Sequence, residues 1–347
     1  MAERHMKQNP RLTLGTVVAA GVGAALGLRA LLRPRMNFRD KTVLITGGSR
    51  GLGLVLARAF LKEGARVAIC ARDEATLDRA RVELERLGGE VLAVPCDVTD
   101  PVQVEALISA LHERFGAVDV LVNNAGVIQT GPLESMTLED FEESIATHLW
   151  GPLYTTLAVL PEMKRRGEGR IINISSIGGK LGVPHMVPYS ASKFALVGLS
   201  DGMRAELAQD GILVTTVCPG LMRTGSPRNA TFKGDHEKEY AWFYVSDSLP
   251  GFSMNAERAA RKIIEAARRG DAEVLVGLPA KLGAVARAFA PNLTASMLAF
   301  VNRWLPQDGH PERFTGKQSE TPLTRSWLTE LSRRAAERNN ETEAPLH

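Results

Sequence analysis

Residues 42–53 read TVLITGGSRGLG: a β-branched and aliphatic run enters a glycine-rich turn, and the leucine-rich stretch behind it has helical periodicity. Glycines at 47, 51 and 53 permit a tight turn with close backbone approach, so a pyrophosphate can sit on the N–H groups of the helix start. The spacing is GxxxGxG rather than GxGxxG. A plain strand-to-helix turn is the alternative, and the flanking strand and helix argue for the nucleotide. The rhythm then repeats about every 25 residues. Strands are expected at 42–46, 66–70, 91–95, 118–122, 170–174, 213–217 and 273–276, with helices at 54–63, 74–87, 102–114, 138–160, 189–209 and 256–269. Near-continuous apolar strands with helices between them predict an α/β fold, a Rossmann-type doubly wound parallel sheet covered on both faces.

Composition agrees with a folded catalytic domain. The chain has 347 residues, 44% hydrophobic and 23% charged, too apolar for disorder. Residues 1–41 carry eight Lys or Arg against Glu3 and Asp40, so of a total charge of +3 the remainder holds −3. A slightly acidic body argues against a nucleic-acid partner, and a basic arm suits a membrane surface. Cys70, Cys96 and Cys218 are isolated in apolar runs, which predicts buried thiols and neither a metal site nor a disulfide framework.

Residues 12–28, LTLGTVVAAGVGAALGL, are uncharged and flanked by basic residues. As a helix they span about 25 Å, or about 31 Å if it continues to Leu32, just enough for a bilayer core. The expectation is a membrane anchor within 1–36 with the following domain on the cytoplasmic side; a cleaved signal peptide and a non-spanning extension are the alternatives.

Further along, the second strand ends in Cys70-Ala71-Arg72-Asp73, without the acidic residue that an NAD site places on the ribose. Arg72, with Arg50 in the glycine turn, suits a 2′-phosphate, so NADP(H) is expected over NAD(H). The alternative is that both arginines are solvated and Asp73 takes the ribose. Asp97-Val98 follows the third strand and is placed to meet the adenine edge; Asn123-Asn124-Ala125-Gly126 follows the fourth, where a dinucleotide must cross the sheet. Tyr189-Ser190-Ala191-Ser192-Lys193 sets a phenol and an ammonium four apart on one helical face, behind Ser175-Ser176 at a strand end. A neighbouring ammonium is expected to lower the phenol's pKa and fit it for proton transfer, with Ser176 donating to a carbonyl oxygen.

In this order, TGGSRGLG, CDV at 96–98, NNAG, ISS at 174–176, YSASK and Pro219-Gly220 with Thr224 resemble the short-chain dehydrogenase/reductase family over about 41–280. The resemblance implies Tyr189 as general acid/base, Lys193 on the nicotinamide ribose, and Ser176 orienting the carbonyl. It implies cofactor contacts along Gly47, Ser49, Arg50, Gly51, Leu52 and Gly53, at Arg72, Asp97 and Val98, at Asn124, Ala125 and Gly126, and at Pro219, Gly220 and Thr224. The activity implied is interconversion of a ketone or aldehyde and its alcohol with NADP(H). An epimerase or dehydratase on the same scaffold, or a non-catalytic nucleotide-binding scaffold, are the rivals. Where the family usually has an asparagine, this chain has His148, which is expected either to join the proton relay or to be packed in its helix.

The segment between Thr224 and Ala256 holds six of the 19 aromatics and reads as a lid over an apolar small-molecule substrate, with a packed surface loop as the alternative. Apolar residues at helical spacing, broken at Pro291, predict a helix pair that packs on the catalytic domain, lies on a membrane or joins a partner subunit in a homo-oligomer. The organisation expected is therefore 1–36, a catalytic domain over 37–280, amphipathic helices over 281–310, and a polar, largely mobile tail over 311–347 with one helix near 323–334.

Overall fold

The computed structural model describes residues 35–342. Seven parallel strands form one sheet: β1 (Thr42–Thr46), β2 (Arg66–Ala71), β3 (Val91–Pro95), β4 (Val120–Asn123), β5 (Gly169–Ile174), β6 (Ile212–Pro219) and β7 (Glu273–Val276). Their spatial order is β7-β6-β5-β4-β1-β2-β3. The order reverses between β1 and β4, so a crevice opens at the carboxyl ends of these strands, the place where doubly wound sheets bind ligands. β1 is buried at every position and pairs with β2 from Thr42 opposite Arg66 to Thr46 opposite Cys70. All three cysteines are buried free thiols.

Helices α1 (Gly51–Lys62), α2 (Glu74–Arg86), α3 (Pro101–Phe115), α4 (Leu138–Ile145), α5 (Gly151–Arg166), α6 (Val187–Leu207) and α8 (Ala256–Arg269) cover the sheet, with α7 (His236–Ser248) in the segment after Thr224. Side chains start several of them. Asp73 accepts from the Thr76 N–H at the head of α2, and Asp100 accepts from the Val102 N–H beside Pro101 at the head of α3.

Three features differ from the sequence-based expectation. The helix expected over 138–160 is interrupted by a π turn at Ala146–Trp150 and resumes to Arg166. Helix periodicity does not register one extra residue per turn, so the bulge leaves no sequence signature. In the segment expected as a lid, Phe232, Phe243, Tyr240 and Tyr244 are buried against one another, with Tyr240 and Tyr244 stacked at 5.0 Å between centroids. These aromatics anchor the segment instead of lining a cover. The tail expected to be mobile is ordered to Thr342: Phe314–Thr315 pairs antiparallel with Thr231–Phe232, and α11 (Glu330–Arg338) follows. Its low apolar content does not register what holds it, polar contacts such as Arg313 Nη2 to Asp140 Oδ1 at 2.7 Å.

The apolar pair expected after the last strand is present as α9 (Leu278–Phe289) and α10 (Pro291–Asn302), broken at Pro291. Among the described residues no helix is long and apolar enough to cross a membrane. The anchor expected at 12–28 lies outside the described residues.

Candidate active site

Gly47 and Gly51 adopt φ of +63° and +56°, which favours glycine. A Cβ on Gly53 would stand 2.1 Å from the Gly47 carbonyl oxygen, so the turn closes this tightly only without side chains. Asn124 stitches the end of β4 to it: its Nδ2 donates to the Thr46 and Gly47 carbonyl oxygens at 3.1 and 3.0 Å. Thr46 Oγ1 in turn accepts from the N–H groups of Asn124 and Ala125. The chain places a carboxyl, that of Glu341, beside this turn, and burial raises its proton affinity. The Glu341 carboxyl, buried, takes hydrogen bonds from Ser226 Oγ at 3.2 Å and Asn229 Nδ2 at 2.6 Å and lies 3.6 Å from Arg50 Nε. A Cβ on Gly51 would meet its Oε1 at 2.6 Å. The side-chain-free turn at the start of α1 fits the pyrophosphate of a dinucleotide.

Toward the adenosine end, Asp73 is committed to capping α2, with its carboxyl held below the usual range by the bonds from Thr76. Arg72 is exposed beside it and pairs with no described residue. Asp97 accepts from the N–H and Oγ1 of Thr99, which shapes the turn after β3. Val98 is buried where a Cβ on Gly151 would touch it at 2.9 Å. At the far end, Pro219 closes β6, Gly220 N–H donates to the Val276 carbonyl oxygen, and Thr224 Oγ1 lies 2.6 Å from Ser226 Oγ.

Ser176, Tyr189 and Lys193 converge as expected. Ser176 ends the chain segment leaving β5 and accepts the Gly178 N–H at 3.0 Å, and a Cβ on Gly178 would meet both its Oγ and the Tyr189 ring. Lys193 Nζ lies 5.6 Å from the Tyr189 ring centroid and donates to the Ile174 carbonyl oxygen at 2.9 Å. The electrostatics differ from the expectation that the ammonium lowers the phenol. Burial pushes Tyr189 above its ordinary value, opposed by the Ser176 hydroxyl, and burial brings Lys193 itself down to about 7. Desolvation of both groups outweighs their mutual effect.

The π turn aims His148 into the site. Its Nε2 accepts the Val127 N–H at 3.1 Å, so the proton sits on Nδ1, which contacts Ser192 Oγ at 2.8 Å. The ring is buried and edge-on to Tyr189, with centroids 5.4 Å apart. Burial, then the nearby Lys193, hold it well below an ordinary histidine, so it is neutral. A Cβ on Gly126 would come within 3.0 Å of Nε2, which explains the glycine there.

Sequence reasoning missed two groups. One is the buried chain Thr155 Oγ1 to Asn123 Oδ1, Asn123 Nδ2 to Asn173 Oδ1 and Asn173 Nδ2 to Ser200 Oγ, which ties β4 and β5 to the helices bearing the site. The other is the run Asn339 to Glu341, where Gly51 N–H donates to the Asn339 carbonyl oxygen and Asn340 Nδ2 donates to the Ser49 carbonyl oxygen at 2.8 Å. Among the described residues no cluster of side chains could hold a metal ion.

A seven-stranded parallel sheet with a glycine cradle and a Ser–Tyr–Lys group at its carboxyl edge defines a dinucleotide-dependent dehydrogenase, and the short chain dehydrogenase family model matches residues 41–233. The chain belongs to the short-chain dehydrogenase/reductase family and is an oxidoreductase acting on CH–OH groups with NAD(P). It is 45% identical over 187 residues to a putative ketoacyl reductase of Streptomyces coelicolor, covering 53% of this chain and 72% of that one. To dehydrogenase/reductase SDR family member 7B of Danio rerio it is 35% identical over 295 residues, 82% of this chain and 94% of the other. Among solved structures, a gluconate 5-dehydrogenase of Burkholderia cenocepacia in complex with NADP and tartrate superposes with a TM-score of 0.62 at 29% identity, covering 71% of this chain and 98% of that one.

Proposed function

We propose that the protein is an NADP(H)-preferring carbonyl reductase of an apolar substrate, with Tyr189 as the proton donor. The observation that carries this reading is the convergence of Ser176 and Lys193 on the Tyr189 phenol, which burial keeps protonated at neutral pH. A phenol that retains its proton is set to give one to a carbonyl oxygen. Ser176 Oγ donates to the same oxygen and orients it. Lys193 holds the ribose side of the site through its ammonium, and Asn124 keeps the cradle closed behind it. When bound, the nicotinamide supplies the hydride that the carbonyl carbon receives. Arg72 and Arg50 favour a 2′-phosphate, because Asp73 is engaged with Thr76 and leaves the arginines as the charges facing that end.

The name of one relative, a putative ketoacyl reductase, agrees with a carbonyl substrate of apolar character. The anchor expected at 12–28, with the catalytic domain facing the cytoplasm, is part of the same proposal, and release of the protein from membranes by alkaline carbonate rejects it. The activity itself is tested by NADPH consumption against a panel of ketones and aldehydes. Consumption that disappears in Tyr189→Phe is the expected result. No consumption with any compound favours a nucleotide-binding scaffold, and equal rates in the variant reject the tyrosine mechanism.

A further inference from the structure

We infer that the α9–α10 hairpin is a docking element for an anionic lipid surface. Each helix buries a single residue, Ala280 on α9 and Thr294 on α10. Leu282, Val285 and Phe289 form a stripe on α9, and Leu293, Met297 and Trp304 continue it along and just beyond α10. All are exposed, Phe289 to 86% and Trp304 to 79%. An ordinary surface helix turns such a stripe inward; these two turn theirs out, and a contiguous exposed apolar patch marks an interaction surface.

Charge identifies the occupant. Residues 274–307 contain no Asp or Glu and carry Lys281, Arg287 and Arg303, all exposed and unpaired with any acidic group among the described residues. A second copy would bring the same three cations against these with nothing to neutralise them. Anionic headgroups neutralise them while the acyl boundary takes the apolar stripe, and Trp304 suits the interface between the two. The hairpin also stands at the rim of the site. Ala280 packs on Gly220, and Gly283 lies where a Cβ would meet Leu181 at 2.9 Å and Ile177 at 3.8 Å, in the turn directly after Ser176. Docking there seats the substrate mouth on the bilayer.

The test uses the full chain with vesicles of phosphatidylcholine alone or with phosphatidylserine, and with brominated lipid to quench tryptophan on contact. The expected result is quenching by the anionic vesicles that is lost in Trp304→Phe and in Leu282→Asp/Phe289→Asp. Lys281→Glu/Arg287→Glu should weaken anionic partitioning by about tenfold or more. The substituted positions are exposed, so unchanged thermal melting serves as the folding control. Absence of Trp304 quenching overturns the inference. So does a dimer, measured by light scattering, that Leu282→Asp/Phe289→Asp dissolves.

A different observation carries a second inference. We infer that the tail run Asn339 to Glu341 competes with the dinucleotide for the glycine cradle. Gly51 N–H, a donor at the head of α1, is taken by the Asn339 carbonyl oxygen. The Glu341 carboxyl lies between Gly51 on one side and Ser226 and Asn229 on the other, while Arg50 faces it. Asn340 pins the run by donating to the carbonyl oxygens of Ser49 and Thr76. The Gly51 N–H is a donor a pyrophosphate would use, and the Glu341 carboxyl fills the space beside it, so the tail and the dinucleotide cannot both occupy that place.

Binding is read by titration calorimetry with 2′-phospho-ADP-ribose, which carries the pyrophosphate without the nicotinamide. Ending the chain after Arg338 should tighten binding by about tenfold if the docked tail fills nine sites in ten. Asn340→Ala should tighten it less, and keeps the test open should the shortened chain not fold. Saturating ligand should speed tryptic cleavage after Arg338. Weaker or unchanged binding in both variants, or slower cleavage, would mean that the tail covers the ligand and would overturn competition.

Discussion

Lys193 Nζ donates to the carbonyl oxygen of Ile174 at 2.9 Å, two residues before Ser176, so the lysine is bolted to the strand that presents this serine. That bond fixes the geometry of the site from within one helix and one strand. It also places an ammonium where water does not reach, which has a measurable consequence.

The folded-state value of about 7 for Lys193 lies below the 10.5 of a free lysine. Below pH 7 both folded and unfolded chains hold the proton, and the full cost of burying the charge is present. Between 7 and about 10.5 the unfolded chain binds more protons than the folded one, so stability rises with pH. Lys193→Met should therefore melt higher than the parent by roughly 5 °C or more at pH 6 to 7. The difference should shrink toward pH 10.5. A pH-independent difference in a differential scanning series rejects this account.

Tyr189→Phe removes the hydroxyl proposed as the proton donor and little else, because the ring stays packed against His148. Turnover should fall by about 10² to 10⁴, the usual contribution of a positioned acid or base. NADPH affinity, followed by fluorescence of the bound coenzyme, should change little. Ser176→Ala should reduce turnover less and also free the Gly178 N–H, so a small loss of stability accompanies it.

The proposed preference for NADP(H) rests on the end of β2. Arg72→Asp places a carboxylate where a 2′-phosphate would approach and should shift the kcat/KM ratio of NADPH to NADH by about tenfold or more toward NADH. An unchanged ratio would show that Arg72 is a solvated arginine and leave Arg50 to be tested in the same way.

His148 joins Val127 and Ser192 across the site, with both ring nitrogens engaged. His148→Ala leaves the half-buried Val127 N–H and the buried Ser192 hydroxyl without this partner and should cost on the order of 3 kcal/mol in urea unfolding. If the ring also serves the proton path, turnover should drop while NADPH binding survives. Turnover that stays at the parent level rejects that role and leaves His148 as a brace for the Tyr189 helix. Its neutral state predicts no inflection in activity near pH 6.5 from this residue.

The order of residues along the chain encodes whatever short-range chemistry can act on. A strand, a GxxxGxG turn and a helix form one continuous run at 42–62, and Tyr189 and Lys193 share a helical face because they are four apart. Alternation of apolar runs and amphipathic stretches is enough for the parallel sheet and its covering helices. Other features depend on residues far apart meeting. Asn340 lies 291 positions from the Ser49 carbonyl it holds, and no local pattern in a polar tail announces such a partner. The π turn that aims His148 is stabilised by its tertiary bonds to Val127 and Ser192, and the direction of the α9–α10 stripe is set by which side of the hairpin meets the body. Desolvation likewise belongs to the packed molecule: the same Tyr189 and Lys193 that spacing brings together have their proton affinities set by how deeply the folded chain encloses them.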